Sequence, residues 1–237
     1  MITLSTTVYE KDFKFVLNKE SWFYKYQNPL VTKKNVIINN INNIEEFLEL
    51  KKTFEKDFEF FYSNEFIGEI NKTFNVPITP DERSYYYSVQ HYTNALVNKE
   101  NKFSFYVGPD CAISSNDLSD YFNDSINLLE SDLDIISTTL PWVEPEMIDT
   151  VGNHEQNFFN IAKRDDKFYM SKIFSDQVYF INTDKIKKID FTITQILHPI
   201  PEYGMNGFEF RLTNNLIQNN NYRAIYKAGL YYKHESF

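Results

Sequence analysis

Apolar positions along this chain fall into short runs with two different spacings. Ile2–Val8 is a compact apolar, β-branched run, and Asn35–Asn39 encloses a second one, Val36-Ile37-Ile38; both read as buried strands. From residue 44 the spacing changes, with Ile44, Phe47, Leu48, Leu50 and Phe54 recurring at helical intervals. Phe58–Tyr62 predicts a third strand. After a loop marked by Pro77 and Pro80, Ser84–Asn98 predicts a helix with Ser84 at the cap position. Phe103–Val107 predicts a fourth strand, stopped by Gly108-Pro109, then Leu118–Leu129 an amphipathic helix and Ile135–Leu140 a fifth strand.

Strands that alternate with helices need crossover connections, which give an α/β fold with a mostly parallel central sheet flanked by helices. The pattern changes after Pro141. The stretch holding Trp142, Pro145, His154 and Glu155 reads as a long surface loop. Beyond it Phe168–Ile173 and Val178–Asn182 predict strands, and helices are expected to start near Thr183-Asp184 and near Gly207. The chain has no internal repeat and no linker-like boundary. One domain over residues 1–237, more mixed in its last third, is the economical reading.

Composition narrows the function. Of 237 residues, 42% are hydrophobic and 17% aromatic, enough for a sizeable core and for aromatic cleft walls. Lys+Arg 24 against Asp+Glu 33 gives 24 − 33 = −9, with no basic block, a balance that repels a phosphate backbone and argues against nucleic-acid binding. Cys111 is the single cysteine, so no intrachain disulfide can form, and a reducing, cytoplasmic setting is expected. The start, Met-Ile-Thr-Leu-Ser-Thr-Thr, lacks the pattern of a signal peptide, and no apolar run approaches the roughly 20 residues of a membrane span. With 6 glycines, neither GxGxxG nor GxxxxGK[ST] is present, which argues against dinucleotide dehydrogenases and P-loop enzymes.

In an open α/β sheet, ligands bind outside the carboxyl ends of the strands. Asp110 follows the strand Phe103–Val107 and so belongs on that rim. Asp132-Leu133-Asp134 resembles a metal motif more literally, but it precedes its strand and belongs on the opposite rim, at the end of a helix.

Phe103-Ser-Phe-Tyr-Val-Gly-Pro-Asp-Cys-Ala-Ile113 resembles the strand and turn of GT-A glycosyltransferases, where an apolar strand runs into an Asp-x-Asp motif. On that resemblance Gly108 stands for the first Asp, which contacts ribose or sugar, and Asp110 keeps the position of the cation ligand. His198-Pro-Ile-Pro-Glu-Tyr-Gly-Met-Asn-Gly-Phe-Glu-Phe-Arg211 is similar to the loop and helix of family-2-type members that carry the catalytic base. Glu209 matches the base, and Phe210 replaces the Asp beside it. Arg223–His234 resembles the closing strand whose terminal His is a further cation contact.

The resemblance spans nearly the whole chain and implies a transferase that moves a sugar from a nucleotide-diphosphate donor to a carbohydrate or glycoconjugate acceptor. Asp110 and His234 would hold Mn2+ or Mg2+. Thr6, Thr7, Tyr9 and Asn39 fall where the family holds the nucleotide, and Asp176 is the reserve candidate for base or acceptor contact. Residues 1–113 would form the donor half and 114–237 the acceptor-binding and catalytic half. A cation held by carboxylate oxygen would neutralise charge on the leaving diphosphate, and a base would activate the acceptor hydroxyl.

Plainer roles stand beside these. Glu209 is also a first-turn acid suited to a helix dipole, and His234 is near the chain end. His91 reads as packing on its helix, interior or donor-facing. His198 reads as a loop residue, His154 and Glu155 as solvated surface, and Cys111 as a small buried side chain. A sugar-nucleotide pyrophosphorylase needs a Gly-rich basic loop after the first strand, which Ser5-Thr-Thr-Val-Tyr-Glu-Lys11 lacks. The alternative from another class is a catalytically degenerate GT-A domain that only binds a sugar nucleotide or a protein, motivated by Gly108 and Phe210.

Overall fold

The protein is described by a computed structural model over residues 1–76, 78, 83–98, 100–142, 161–192 and 207–234. Its strands are β1 (Ile2–Val8), β2 (Val31–Ile38), β3 (Glu59–Tyr62), β4 (Phe103–Val107), β5 (Cys111–Ile113), β6 (Ile135–Thr139), β7 (Ile161–Arg164), β8 (Phe168–Ser171), β9 (Val178–Asn182), β10 (Tyr222–Tyr226) and β11 (Tyr232–His234). The described helices are α1 (Phe13–Val16), α2 (Trp22–Lys25), α3 (Ile44–Phe54), α4 (Ile67–Phe74), α5 (Arg83–Val97), α6 (Ser119–Ser131), α7 (Thr183–Ile186) and α8 (Phe208–Gln218).

Nine strands form one sheet in the order β3-β2-β1-β4-β9-β6-β10-β8-β7. Pairing is parallel from β3 through β4 and between β6 and β10, while β9 runs antiparallel to both β4 and β6, and β8 antiparallel to both β10 and β7. All strands but β8 and β9 therefore point one way, and the expected mostly parallel α/β sheet is what the chain forms. The reversed strands account for its mixed last third.

Alternation along the central strands gives each face its own core. Phe103, Phe105 and Val107 of β4, with Val178 and Phe180 of β9, pack on one side with Phe47, Tyr121 and Phe122. Tyr106, Tyr179 and Ile181 point to the other, among Val89, Tyr92, Phe208 and Leu212 of α5 and α8. The β1 register differs, since Thr3, Ser5 and Thr7 are as deeply buried as Ile2, Leu4 and Val8. Buried hydroxyls need partners; Asn101 Nδ2 donates to Thr3 Oγ1 at 3.0 Å, and Thr7 Oγ1 is hydrogen-bonded to Tyr106 OH at 2.9 Å.

Two expectations are corrected. The stretch after β3, read as entering a loop, forms a 3-10 turn over Ser63–Phe66 and then α4, which ends at Asn75 in a left-handed conformation (φ 52°). Ile67, Ile70 and Phe74 give α4 an apolar stripe at i, i+3 and i+7, and all three pack on the α5 side of the sheet. The segment Arg223–His234, read as one closing strand, is two. β10 lies in the main sheet, and β11 pairs antiparallel with β5 in a separate two-stranded sheet. Gly229 at φ +70° makes the reversal between them, a conformation that side chains with a Cβ rarely adopt. The loop residues Pro145, His154, Glu155 and His198 lie outside the described residues, whereas Trp142 is described and partly exposed.

Candidate active site

The carboxyl ends of β1, β2, β4 and β6 share one rim, and so does the start of the antiparallel β9. At the end of β4 the chain turns through Gly108, whose N–H donates to Gln177 O at 2.7 Å, and Cys111 N–H donates back to Gly108 O at 3.1 Å. That turn feeds β5, and the β5–β11 register sets His234 opposite Cys111. His234 Nδ1 consequently lies 3.3 Å from Asp110 Oδ2, with both side chains about half exposed. Ligand atoms of Asp110, Cys111 and His234 all fall within 4.8 Å of one another. Burial pushes the Cys111 thiol far above its usual range, and Asp110's charge adds to this, which disfavours the thiolate that metal binding through sulfur needs. A carboxylate oxygen and an imidazole nitrogen remain, a donor set suited to Mn2+ and, less readily, Mg2+.

Gly108 has a steric reason. A Cβ there would sit 3.2 Å from Cys111 Sγ and equally close to Gln177 O and Gln177 Oε1. The segment entering β9 crowds the first side-chain atom at this position, so any larger residue needs its neighbours to give by a few tenths of an ångström. Asp12, after β1, is a carboxylate the sequence reading passed over. Burial raises its pKa most, and the charge of Asp110 raises it next, which brings it into the field of this site.

The nucleotide candidates divide. Thr6 and Thr7 are buried in β1, and Thr7 Oγ1 is hydrogen-bonded to Tyr106 OH at 2.9 Å. Asn39 is buried beyond β2 and donates through Nδ2 to Gln90 Oε1 at 3.1 Å. Tyr9 is partly exposed and opens the loop that carries Asp12. The four share the rim with Asp110, and Tyr9 alone of them reaches solvent.

The second carboxylate region lies beside the first. Asp176 precedes β9, and because β9 is reversed its start falls on the binding rim. Asp176 Oδ2 is 3.3 Å from His91 Nε2. Glu209 stands in the first turn of α8. Its carboxyl is pushed well above the usual range, first by burial and then by the negative charge of Asp176, with Arg223 opposing. Arg223 is fully inside β10 and is drawn down to about 10 by burial, so it stays cationic at neutral pH. Asp176 also raises the Cys111 and Tyr232 groups, so its charge is felt near the Asp110–His234 corner as well as at Glu209. Sequence reading assigned His91 to packing. It is 2% exposed and packs against Phe208 and Tyr106, but it also meets Asp176.

Asp132 and Asp134 sit where expected, on the far rim before β6, in a turn where Asp134 N–H donates to Asp132 Oδ1 at 2.9 Å. A separate cleft of about 470 Å3 is bordered by Asp124, Lys167 and Tyr226. Those three already bond one another, through Lys167–Asp124 and Tyr226 OH donating to Asp124 Oδ2 at 3.2 Å, so the cleft holds no uncommitted chemistry among them.

This architecture is the GT-A fold, the class that the β4 turn and the order of motifs resemble. Mouse xyloside xylosyltransferase 1 in its apo form superposes with a TM-score of 0.55 at 9% identity, covering 95% of this chain and 85% of that one. GalNAc-T7, solved with UDP, GalNAc and Mn2+, gives 0.55 at 9% identity, covering 100% of this chain and 44% of that one. Glucosyl-3-phosphoglycerate synthase from Mycobacterium tuberculosis, solved with Mn2+, UDP and glucosyl-3-phosphoglycerate, gives 0.51 at 9% identity, covering 100% and 72%. No family model and no curated protein matches the sequence. Among the described residues no helix is long and apolar enough to cross a membrane.

Proposed function

We propose that this chain is a nucleotide-sugar glycosyltransferase that transfers a sugar to an acceptor hydroxyl with inversion. The observation that carries this reading is the meeting, on the binding rim of a GT-A sheet, of the Asp110–His234 pair with the carboxylates of Asp176 and Glu209. One domain over residues 1–237 goes with it, the donor held by 1–113 and the acceptor by 114–237. Tyr9 would stack on the base, and Asp12, whose carboxyl feels the charge of Asp110, would serve the ribose contact that Gly108 lacks. Asp110 and His234 would hold Mn2+ or Mg2+, which when bound would neutralise charge on the departing diphosphate.

The acceptor oxygen forms a bond to the anomeric carbon while the bond from that carbon to the donor phosphate oxygen breaks. The electron pair of the broken bond leaves with the nucleoside diphosphate, and the hydroxyl proton passes to a carboxylate. The resemblance assigns that proton to Glu209. Burial and the charge of Asp176 both favour the neutral form of Glu209, so we assign the proton to Asp176 and give Glu209 a hydrogen bond to the acceptor sugar. Asp176→Asn should lower kcat by at least about 10²-fold with donor affinity nearly unchanged. Glu209→Gln, which keeps a donor, should cost less than about 10-fold; the reverse order returns the base to Glu209.

The second reading, a binder without turnover, rests on Gly108 and Phe210. Hydrolysis of uridine, guanosine, thymidine and cytidine diphosphate sugars without acceptor separates the two, because a pure binder releases no nucleotide.

A further inference from the structure

Under the sheet, where α5 covers β1, β2, β4 and β9, a row of polar side chains is buried that the transfer reaction does not explain. Asn35 is 1% exposed, Asn98 4%, Asn94 0%, Tyr179 0% and His91 2%. Asn35 Nδ2 donates to Asn98 Oδ1 at 3.2 Å, and Asn98 Nδ2 donates to Asn94 Oδ1 at 3.0 Å. Asn94 Nδ2 donates to the Tyr179 hydroxyl oxygen at 3.2 Å; that hydroxyl lies 3.1 Å from His91 Nδ1, and His91 Nε2 lies 3.3 Å from Asp176 Oδ2.

Hydrogen-bond chemistry gives the row one direction. A carboxylate oxygen only accepts, so a hydrogen bond across the 3.3 Å between Asp176 Oδ2 and His91 calls for a hydrogen on Nε2. In that tautomer Nδ1 has a lone pair, which takes the Tyr179 proton and leaves the phenol oxygen to accept from Asn94. The Gln90 amide nitrogen, 3.3 Å from the same Nε2, donates there as it is placed, which is the bond of the opposite tautomer; with the amides of Gln90 and Asn39 both turned over, the Gln90 oxygen accepts from Nε2 instead. From Asn35 onward each link of the row points toward Asp176 in that tautomer. Burying so many polar groups is unfavourable unless each is bonded, and an aliphatic α5 face would cover the sheet without that cost.

We propose that His91 is a positioning residue. Fixed by Tyr179 as the Nε2–H tautomer, it donates to Oδ2 of Asp176 and so aims the other carboxylate oxygen at the acceptor hydroxyl. This rests on the transferase reading above, which names Asp176 as proton acceptor, and adds the residue that orients it.

Two amide variants test it. His91→Gln brings an amide nitrogen close to the Nε2 position and keeps a donor for Asp176, whereas His91→Asn reaches only the Nδ1 position. Both remove the ring from the same buried site, so a merely structural role penalises them alike. His91→Asn should lower kcat by at least about 10-fold and His91→Gln should recover most of that loss, both binding UDP with manganese as the parent does. Equal loss in the two variants overturns the proposal. Long-range 15N NMR of the four histidines reads the tautomer without any turnover. It should assign the His91 proton to Nε2, with Nδ1 shifting in Tyr179→Phe; a proton on Nδ1 overturns the proposal. If the parent neither binds a nucleoside diphosphate nor turns over a nucleotide sugar, the transferase reading fails, and the NMR result still decides the tautomer.

Discussion

His234 Nδ1 lies 3.3 Å from Asp110 Oδ2 across 124 positions of sequence. The contact follows from two short strands, because antiparallel pairing of β11 on β5 places His234 opposite Cys111, the neighbour of Asp110. If this corner holds the cation, UDP should bind more tightly with manganese than with chelator, and Asp110→Ala or His234→Ala should remove at least about 10-fold of that gain. Calorimetry showing equal affinity with manganese and with chelator in the parent removes the metal from the mechanism.

Restoring the missing acid should fail. In Gly108→Asp the new Cβ meets Gln177 O, which is held in place by the N–H of residue 108 itself. Overpacking of this kind costs about 1–3 kcal/mol. Chemical denaturation should detect the loss, and UDP affinity should not rise. A variant as stable as the parent, with tighter UDP binding, would show that the β9 entry yields and that the position accepts an acid.

Glu209 carries a pH signature. An unfolded Glu titrates near about 4.3, and the folded carboxyl titrates well above its usual range. Below about 4.3 both states are protonated and Glu209 contributes nothing. As pH rises further the unfolded chain releases its proton first, so ν_U − ν_N is negative and stability falls until the folded carboxyl also ionises. Glu209→Gln should therefore melt with the parent near pH 4 and above it near pH 8, by at least about 2 °C, the shift that ~1 kcal/mol gives a domain of this size. Superimposable melting curves at pH 8 would mean that the carboxyl is not strained by burial and Asp176.

On the donor side Tyr9 is the partly exposed member of its group, so it is the one that a base arriving from solvent can meet. Tyr9→Ala should weaken UDP binding by about 1–3 kcal/mol. Thr7→Val, whose hydroxyl is bonded to Tyr106, should instead act on stability and leave UDP affinity unchanged. If Tyr9→Ala binds UDP as the parent does, the base lies elsewhere on the rim.

Much of the frame was legible in the chain, for a physical reason. Runs such as Phe103–Val107 and Val178–Asn182 are buried on both faces of a central sheet, and continuous burial leaves a continuous apolar signature. Asp110 was equally legible, since an acid placed just after a parallel strand can emerge only on the binding rim. The α4 helix was not, because its apolar stripe is short and Gly68 in its first turn lowers its helix propensity. The break between β10 and β11 was hidden because aromatic residues continue on both sides of Gly229.

What the sequence determined by itself was the α/β alternation, the resemblance of the β4 turn, and the rim to which Asp110 belongs; each depends on neighbours in the chain. Tertiary structure alone decided the partners. The insertion of a reversed β9 between β4 and β6 carried Asp176 onto the binding rim and crowded the position of Gly108. His91 became a neighbour of Asp176 only because α5 lies over that strand, and buried amides satisfying one another leave no period in a sequence. Local pattern reports which side of an element is apolar, whereas strand order and direction, which set the distances between carboxylates, are fixed only when the whole sheet closes on its helices.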